Sequence, residues 1–213
     1  MGIAACKKQV DPPSFNYDYY DLTFGRFIEY DVLEINHDVD QTVQHDTLRY
    51  QLKTVIGDTV IDNEGRIARK FIRYKRSNSN SNWAQTDLWT TIIDQNRAEL
   101  VEENQRVIKM IFVPNIGKEW NANVFNMFPE LNCYYRDIDV NQKIGAKTFE
   151  STLVVEQEDF FSMIDHRRKF EVYAKGVGLV YKHYRDLTIA GFDTLDVQKG
   201  KEMYYKCTNF GIQ

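Results

Sequence analysis

The sequence of this 213-residue chain predicts an all-β protein, built as a curled antiparallel meander that forms a half-barrel, a barrel or a sandwich. Apolar and polar residues alternate with a period of two in many short segments, which is the pattern of half-buried strands. Aromatic residues make up 14% of the chain, and such residues are favoured in strands. A sheet this long must twist and curl, and at most one short helix is expected.

The first half of the chain predicts six strands joined by polar turns. Asp62-Asn63-Glu64-Gly65 is a turn signal that should close a hairpin, and Glu103-Asn104 should close another. The polar run at 77–82 has nothing to bury and predicts a loop tip. The strands are expected at residues 28–35, 50–56, 67–74, 83–93, 98–103 and 106–113.

The second half begins with a long connection at 114–129 that contains Trp120. A helical turn is expected within 157–168, because four apolar residues recur there at helix-like spacing. One continuous domain is predicted over 15–213, with two β-subdomains divided near 114–129 as the alternative. The later strands are expected at residues 133–138, 148–157, 169–175, 179–187 and 202–209.

The amino terminus carries a targeting signal. Ile3-Ala4-Ala5-Cys6 matches the end of a lipobox, in which an aliphatic residue and two small residues precede a cysteine that becomes lipidated. Residues 7–14 are polar and end in a Pro pair, which is typical of an extended spacer. Residues 1–14 are therefore predicted to be a signal-peptide remnant and flexible tether, with lipidation at Cys6. The alternative is an ordinary start and a chance match.

The lipobox predicts a location outside the cytoplasm. We expect a cell-envelope lipoprotein held to a membrane by its lipid anchor, with the outer membrane favoured because Lys7-Lys8 is no evident inner-membrane retention signal. Cys133 and Cys207 then remain as an even pair in an oxidising compartment. They either form a disulfide or are two buried free thiols in facing strands.

One segment resembles a known group of proteins. The residues 171–182, Glu-Val-Tyr-Ala-Lys-Gly-Val-Gly-Leu-Val-Tyr-Lys, are similar to the E-x-Y-A-x-G-V-G-x-V hairpin of uncharacterised lipoproteins from Bacteroidetes. Shorter stretches at 50–53, 73–76, 102–104 and 117–121 resemble the same group. The resemblance implies a location and a fold, but no activity is assigned to that group.

Two sets of residues are candidates for a ligand or partner surface. Gly176 and Gly178 lie between alternating strands, where they serve either a tight turn or the close approach of a ligand or partner strand. Asp87 lies near Trp83 and Trp89, and aromatic platforms beside acids are used to hold sugars. A Trp in a strand is otherwise part of the core.

Composition argues against several other classes of function. With 27 basic and 31 acidic side chains the net charge is −4, which lacks the basic footprint of a nucleic-acid-binding protein. Asn36, Asp38 and Asp40 alternate like calcium ligands, but the Gly and closing Glu of that loop are absent. No nucleophile, phosphate-binding or dinucleotide motif is present, so no catalytic residue, metal or cofactor is expected.

The sequence therefore predicts a non-enzymatic envelope lipoprotein that binds a hydrophobic ligand or an envelope partner. This function requires an open apolar groove on the concave face of the sheet or an exposed aromatic patch. The alternative is a carbohydrate-binding or carbohydrate-processing surface lipoprotein, which requires exposed Trp83 or Trp89 beside Asp87 and a second carboxylate across a cleft. A purely structural role would leave a filled core.

Overall fold

A computed structural model describes residues 15–213, so the predicted lipidation site Cys6 and the tether lie outside the described residues. The described chain forms one sheet of twelve antiparallel strands, which confirms the predicted all-β meander. The strands are β1 Arg26–Asp38, β2 His45–Ile61, β3 Ile67–Arg76, β4 Ala84–Asp94, β5 Arg97–Glu102, β6 Gln105–Ile111, β7 Glu119–Asn121, β8 Asn132–Ile144, β9 Lys147–Phe161, β10 Asp165–Ala174, β11 Gly178–Ala190 and β12 Asp193–Ile212.

The strand order makes the sheet a nearly closed barrel. It runs β6-β5-β4-β3-β2-β1-β12-β11-β10-β9-β8-β7, so β1 to β6 and β7 to β12 are two meanders that meet where β1 pairs with β12. The connection at 114–129 brings the two outer strands, β6 and β7, towards each other. All twelve strands therefore belong to one continuous sheet.

The seam between β6 and β7 is held by a few hydrogen bonds in place of a full ladder. The amide of Ile108 donates to the carbonyl of Ala122 at 2.9 Å, and the indole N–H of Trp120 donates to the carbonyl of Ile108 at 3.1 Å. The Tyr135 hydroxyl donates to the carbonyl of Ile111 at 2.7 Å and accepts from its amide at 2.8 Å. These bonds satisfy backbone groups that an open sheet edge would expose.

A short 3-10 helix at Tyr17–Tyr20 closes one end of the barrel. The Tyr17 hydroxyl donates to the carbonyl of Gln95 in the β4–β5 turn at 3.0 Å. The carbonyl of Asp18 accepts from the amide of Gly176 in the β10–β11 turn at 2.8 Å. Because these two turns lie in different halves of the sheet, the helix crosses the end of the barrel and covers it.

The helical turn predicted within 157–168 is wrong. These residues form the end of β9, a tight turn and the start of β10, with the amide of Ser162 donating to the carbonyl of Asp165 at 2.8 Å. The apolar residues whose spacing suggested a helix lie at the exposed tip of this hairpin. No helix among residues 15–213 has the length and apolar character needed to cross a membrane.

The core is divided because the curled sheet buries both of its faces along β9. Leu153, Val154 and Val155 are consecutive, and each has at most 1% of its surface exposed. Neighbouring residues of a strand point to opposite faces, so side chains pack on both sides of the sheet here. Leu153 and Val155 belong to the cluster at the β6–β7 seam, and Val154 belongs to a second cluster that includes Tyr30 and Cys207.

Candidate functional site

The interior of the barrel contains a cavity of about 380 Å³. This volume lies within the range of about 300–1,000 Å³ that small-molecule sites occupy. Strands from both halves of the sheet and the residues after the 3-10 helix line it. The apolar and aromatic lining comprises Tyr20, Leu22, Ile28, Tyr30, Tyr50, Leu52, Ile56, Phe71, Trp89, Leu100, Tyr173, Val177, Leu179, Met203 and Tyr205.

The polar part of the cavity is centred on a buried ion pair. The Lys109 ammonium donates to Oε1 of Glu171 at 2.8 Å, and the Tyr173 hydroxyl donates to Oε2 at 2.6 Å. The Lys182 ammonium lies 3.9 Å from Oε1 of the same carboxylate. Only 2% of the Glu171 side chain and 11% of the Lys109 side chain are exposed. The pair is therefore almost completely removed from water.

A bulge in β6 explains why a lysine points into the barrel. Ala98 of β5 pairs with Met110, but the next residue, Glu99, pairs with Ile108, so Lys109 has no partner in the β5–β6 register. An extra residue of this kind bends its strand and redirects a side chain. The Lys109 side chain thus enters the cavity from a strand whose neighbouring residues pack in the seam cluster.

Both members of the pair are held in their charged forms. Burial by itself raises the pKa of Glu171, but the Lys109 ammonium, followed by Lys182, outweighs burial and brings the pKa to about 2. Burial by itself lowers the pKa of Lys109, but Glu171 and then Glu102 outweigh burial and raise the pKa above its usual value. Each charge is thus the main reason why its partner stays ionised.

Tyr20 connects the 3-10 helix to the wall of the cavity. Its hydroxyl lies 2.9 Å from the Thr91 hydroxyl, which donates to the carbonyl of Glu99 at 2.8 Å. The Tyr20 and Tyr173 ring centroids are 6.2 Å apart. Burial raises the pKa of Tyr20 to about 12. The phenol is therefore neutral at physiological pH and acts as part of a packed, hydrogen-bonded wall.

Another ion pair lies further along β1, away from the 3-10 helix. The Lys201 ammonium is 2.7 Å from the Glu34 carboxylate, which also accepts from the Tyr50 hydroxyl at 3.2 Å. Both charged side chains are partly exposed, unlike Glu171. The cavity is therefore more open to solvent at this pair than at the Lys109–Glu171 pair, and we call the region around Glu34 and Lys201 the mouth of the cavity.

Two of the three residues predicted as a sugar site, Asp87 and Trp89, line one surface cleft together with Glu103, whereas Trp83 lies outside it. Trp89 lines the cavity with Arg73 stacked over its ring at 4.3 Å, and Arg73 also pairs with Asp87 at 3.1 Å. Trp83 lies just before β4 and is covered by the Arg76 guanidinium at 4.1 Å. One face of each indole is thus occupied by a cation, and the Asp87 carboxylate is already paired.

Of the two candidate glycines, Gly176 lies in the β10–β11 turn and Gly178 is the first residue of β11. Gly176 and Gly178 have φ of 67° and 103°, values that favour glycine. Gly178 also lies on the lining of the cavity, where an added Cβ would lie 3.5 Å from the Ile28 side chain. Only Gly178 therefore has access to a ligand in the barrel.

Cys133 and Cys207 are free, buried thiols in this structure, so the disulfide alternative is not realised. They belong to different core clusters, and they lie in β8 and β12, which are not neighbours in the sheet. Burial raises the pKa of Cys133 to about 12 and that of Cys207 to about 11. Neither thiol is available as a thiolate at neutral pH.

Two further features of the described chain bear on function. Among residues 15–213, no group of three or more His, Cys, Asp and Glu is placed to hold a metal ion. The tips of the β9–β10 and β11–β12 hairpins form an exposed apolar patch, in which the Phe161 and Phe192 rings lie 6.0 Å apart. The exposed members are Phe160, Phe161, Met163, Ile164, Phe192 and Leu195.

The ion pair at the centre of the cavity was not anticipated from the sequence. Simple alternation assigns Lys109 to the face opposite Ile108 and Met110, and a bulge leaves no clear mark in one sequence. Glu171 offered a better signal, because it stands beside Val172 and two residues before Tyr173 in an apolar strand. An acid within such a strand is buried and needs a partner.

Comparisons with known proteins give no match for the chain: no family model, no curated protein and no solved structure matches it.

Proposed function

We propose that this protein is a cell-envelope lipoprotein that binds a small hydrophobic ligand inside its barrel. The observation that carries the proposal is the cavity of about 380 Å³, which the packed side chains of the sheet leave open. A purely structural barrel would fill this space, because protein interiors are close-packed. A largely apolar cavity with a few convergent polar groups is the usual form of a ligand site.

The aromatic lining fits a hydrophobic ligand better than a polar one. Tyr30, Tyr173 and Leu52 have at most 2% of their surface exposed, so they present rigid apolar walls in the deep part of the barrel. The 3-10 helix covers one end, and the polar region at Glu34 and Lys201 lies further along the strands. A ligand would therefore place its apolar part deep in the barrel and exchange through the mouth of the cavity.

Binding can be tested with an uncharged fluorescent apolar probe, N-phenyl-1-naphthylamine, titrated into the full chain. We expect saturable fluorescence enhancement with one site per chain. Met203→Trp places a larger side chain in the cavity and should abolish this signal. Leu88→Trp adds the same indole at a position that is 57% exposed and should leave binding unchanged. Equal binding by Met203→Trp, with thermal unfolding like that of the unaltered protein, would contradict the proposal.

The cellular location is proposed on the lipobox sequence and not on the fold. The expected mature protein begins at a lipid-modified Cys6 and fractionates with the outer membrane. Mass spectrometry of the native protein from separated membranes tests this, with Cys6→Ser as the control that cannot be lipidated. Unmodified Cys6 in a soluble cytoplasmic fraction would contradict the proposed location and leave the ligand proposal unaffected.

An envelope protein is a second candidate ligand, because the exposed hairpin patch contains Phe161 and Phe192 at the rim of the barrel. Contiguous exposed aromatic and aliphatic side chains mark interaction surfaces. Replacing Phe192 with Ser should reduce the yield of crosslinks to other envelope proteins and leave probe binding unchanged. Unaltered crosslinks would remove the support for this candidate.

A further inference from the structure

We infer that the ligand of the barrel carries one uncharged oxygen acceptor, such as a hydroxyl, ketone or ester group, which binds the Lys109 ammonium. This inference rests on the proposed function and names the chemical class of the ligand. It follows from two properties of the polar site around the Lys109–Glu171 pair. The first is the set of N–H donors on Lys109 that have no acceptor in the protein, and the second is the balance of charges around Lys109.

The Lys109 ammonium has more N–H donors than the protein provides acceptors for. An ammonium group carries three N–H donors, and among residues 15–213 Glu171 is its only hydrogen-bond acceptor. The side chain is 11% exposed and lines the cavity, so its remaining N–H donors face the space that a ligand would occupy. A buried donor without an acceptor costs free energy. A ligand that brings an oxygen acceptor to this point would satisfy that donor.

The charges around Lys109 already cancel. Five other charged residues line the cavity, and each has its own ion-pair partner: Arg26 with Asp21, Lys201 with Glu34, and Arg73 with Asp87. The charges that remain are two ammonium groups, Lys109 and Lys182, and two carboxylates, Glu102 and Glu171. A fatty acid or a phosphate would add a negative charge with no compensating cation, and an amine would add an uncompensated positive charge. Either charge is costly in a site removed from water. An uncharged oxygen takes the hydrogen bond without disturbing the balance.

The residues around Lys109 fit a ligand that has one oxygen atom attached to an apolar body. Leu100, Tyr173 and Leu179 line the cavity together with Lys109 and contribute apolar surface. The Tyr173 hydroxyl is already used as a donor to Glu171, so it does not compete for the ligand oxygen. Lys109 is also the most buried ammonium donor on the lining, because Lys182 and Lys201 are 26% and 39% exposed.

The test compares 1-decanol with sodium decanoate as competitors of N-phenyl-1-naphthylamine at pH 8, both at concentrations below micelle formation. These two ligands share a ten-carbon chain and differ in the charge of the head group. We expect decanol to displace the probe from the full chain at a concentration at least about tenfold lower than decanoate, because the carboxylate of decanoate adds an uncompensated negative charge to the site and the alcohol does not.

Two variants test the two parts of the inference separately. Glu102→Gln is isosteric, and the Glu102 carboxylate has no hydrogen-bond partner among residues 15–213, so the variant should fold. Removing this negative charge should strengthen decanoate binding by about tenfold while decanol binding stays the same. The double substitution Lys109→Met with Glu171→Gln keeps the site neutral and replaces the ammonium donors with the weaker N–H donors of an uncharged amide. It should weaken decanol binding but not probe binding, whereas Lys206→Met, at an exposed site in β12, should change neither.

The outcomes separate this inference from the proposed function. Decanoate binding as tightly as decanol, or an unchanged ratio in Glu102→Gln, would overturn the uncharged-acceptor inference while probe binding still supports a ligand cavity. Failure of the probe and of both ligands to bind would overturn the proposed function and this inference with it. A preference for decanol that Glu102→Gln reduces supports both.

Discussion

The Lys109 ammonium and the Glu171 carboxylate lie 2.8 Å apart, although β6 and β10 are not neighbours in the sheet. The pair joins the two meanders through the interior of the barrel, near the seam where β6 and β7 are held by only a few hydrogen bonds. An ion pair in this position contributes to closure as well as to the polarity of the cavity. Removing the pair should therefore lower the free energy of unfolding of the whole protein.

Lys109→Met should destabilise the protein by about 3 kcal/mol, because it leaves a buried carboxylate without its main partner. The double substitution Lys109→Met with Glu171→Gln should be less destabilising than Lys109→Met alone, since no unpaired charge remains. Urea unfolding of the single and double variants measures both effects through a double-mutant cycle. A double variant less stable than Lys109→Met would contradict this account.

His183 should make the protein less stable in mild acid. Burial, reinforced by the nearby Arg185 and Arg168 guanidinium groups, lowers the pKa of His183 from 6.5 to about 4. The unfolded chain therefore binds a proton between pH 6.5 and 4 that the folded chain does not, so stability is present above pH 6.5 and is lost as the pH falls towards 4.

His183→Phe keeps an aromatic ring where His183 stacks on Phe170 at 4.9 Å and removes the titrating group. The unfolding free energy of the unaltered protein should fall relative to that of this variant between pH 6.5 and 4. The imidazole signal of His183 in a proton NMR titration should report a pKa near 4. A midpoint near 6.5 would show that the ring is not buried as described.

The period-two pattern predicted the fold class and most strands, because in most strands the more exposed residues alternate with the more buried ones. The pattern failed in two places for physical reasons. At Phe160 to Ile164, apolar residues at a hairpin tip mimic the spacing of a helix. At Lys109, a single bulged residue shifts the alternation, and the position of its partner Glu171 depends on closure of the barrel. Contacts across a barrel interior are set by strand order, which no local pattern encodes.

Glu99 should be a second electrostatic determinant of stability, on the opposite face of β5 from the cavity. Its carboxylate is fully buried and accepts from Arg66 at 2.9 Å and from Arg97 at 2.5 Å. Glu99→Gln removes the charge that three guanidinium groups share, because Arg106 also lies 3.7 Å from this carboxylate, and we expect a loss of about 3 kcal/mol in urea unfolding. Glu64→Gln is the matched control.

The control isolates the effect of burial. Glu64 pairs with the same Arg66 at 3.3 Å and with Arg106 at 2.6 Å, but 49% of its side chain is exposed. Exposed ion pairs contribute about 0–1 kcal/mol, so Glu64→Gln should have little effect. Equal losses for the two variants would mean that the Glu99 network stabilises the protein no more than a surface pair does.

Gly200 should be the least replaceable glycine of β12. It has φ of 128°, and an added Cβ would lie 2.1 Å from the carbonyl oxygen of Asp186 in the adjacent strand β11. Gly191, in the β11–β12 turn, also has a positive φ, of 62°, but its Cβ would meet nothing within 4 Å. Gly191→Ala should therefore cost only about 1 kcal/mol, the penalty of the left-handed backbone. Gly200→Ala adds a backbone clash that separates β11 from β12, so it should lower the unfolding midpoint much more or prevent folding. Thermal unfolding followed by circular dichroism compares the two variants, and similar midpoints would rule out the close approach of β11 and β12 at Gly200.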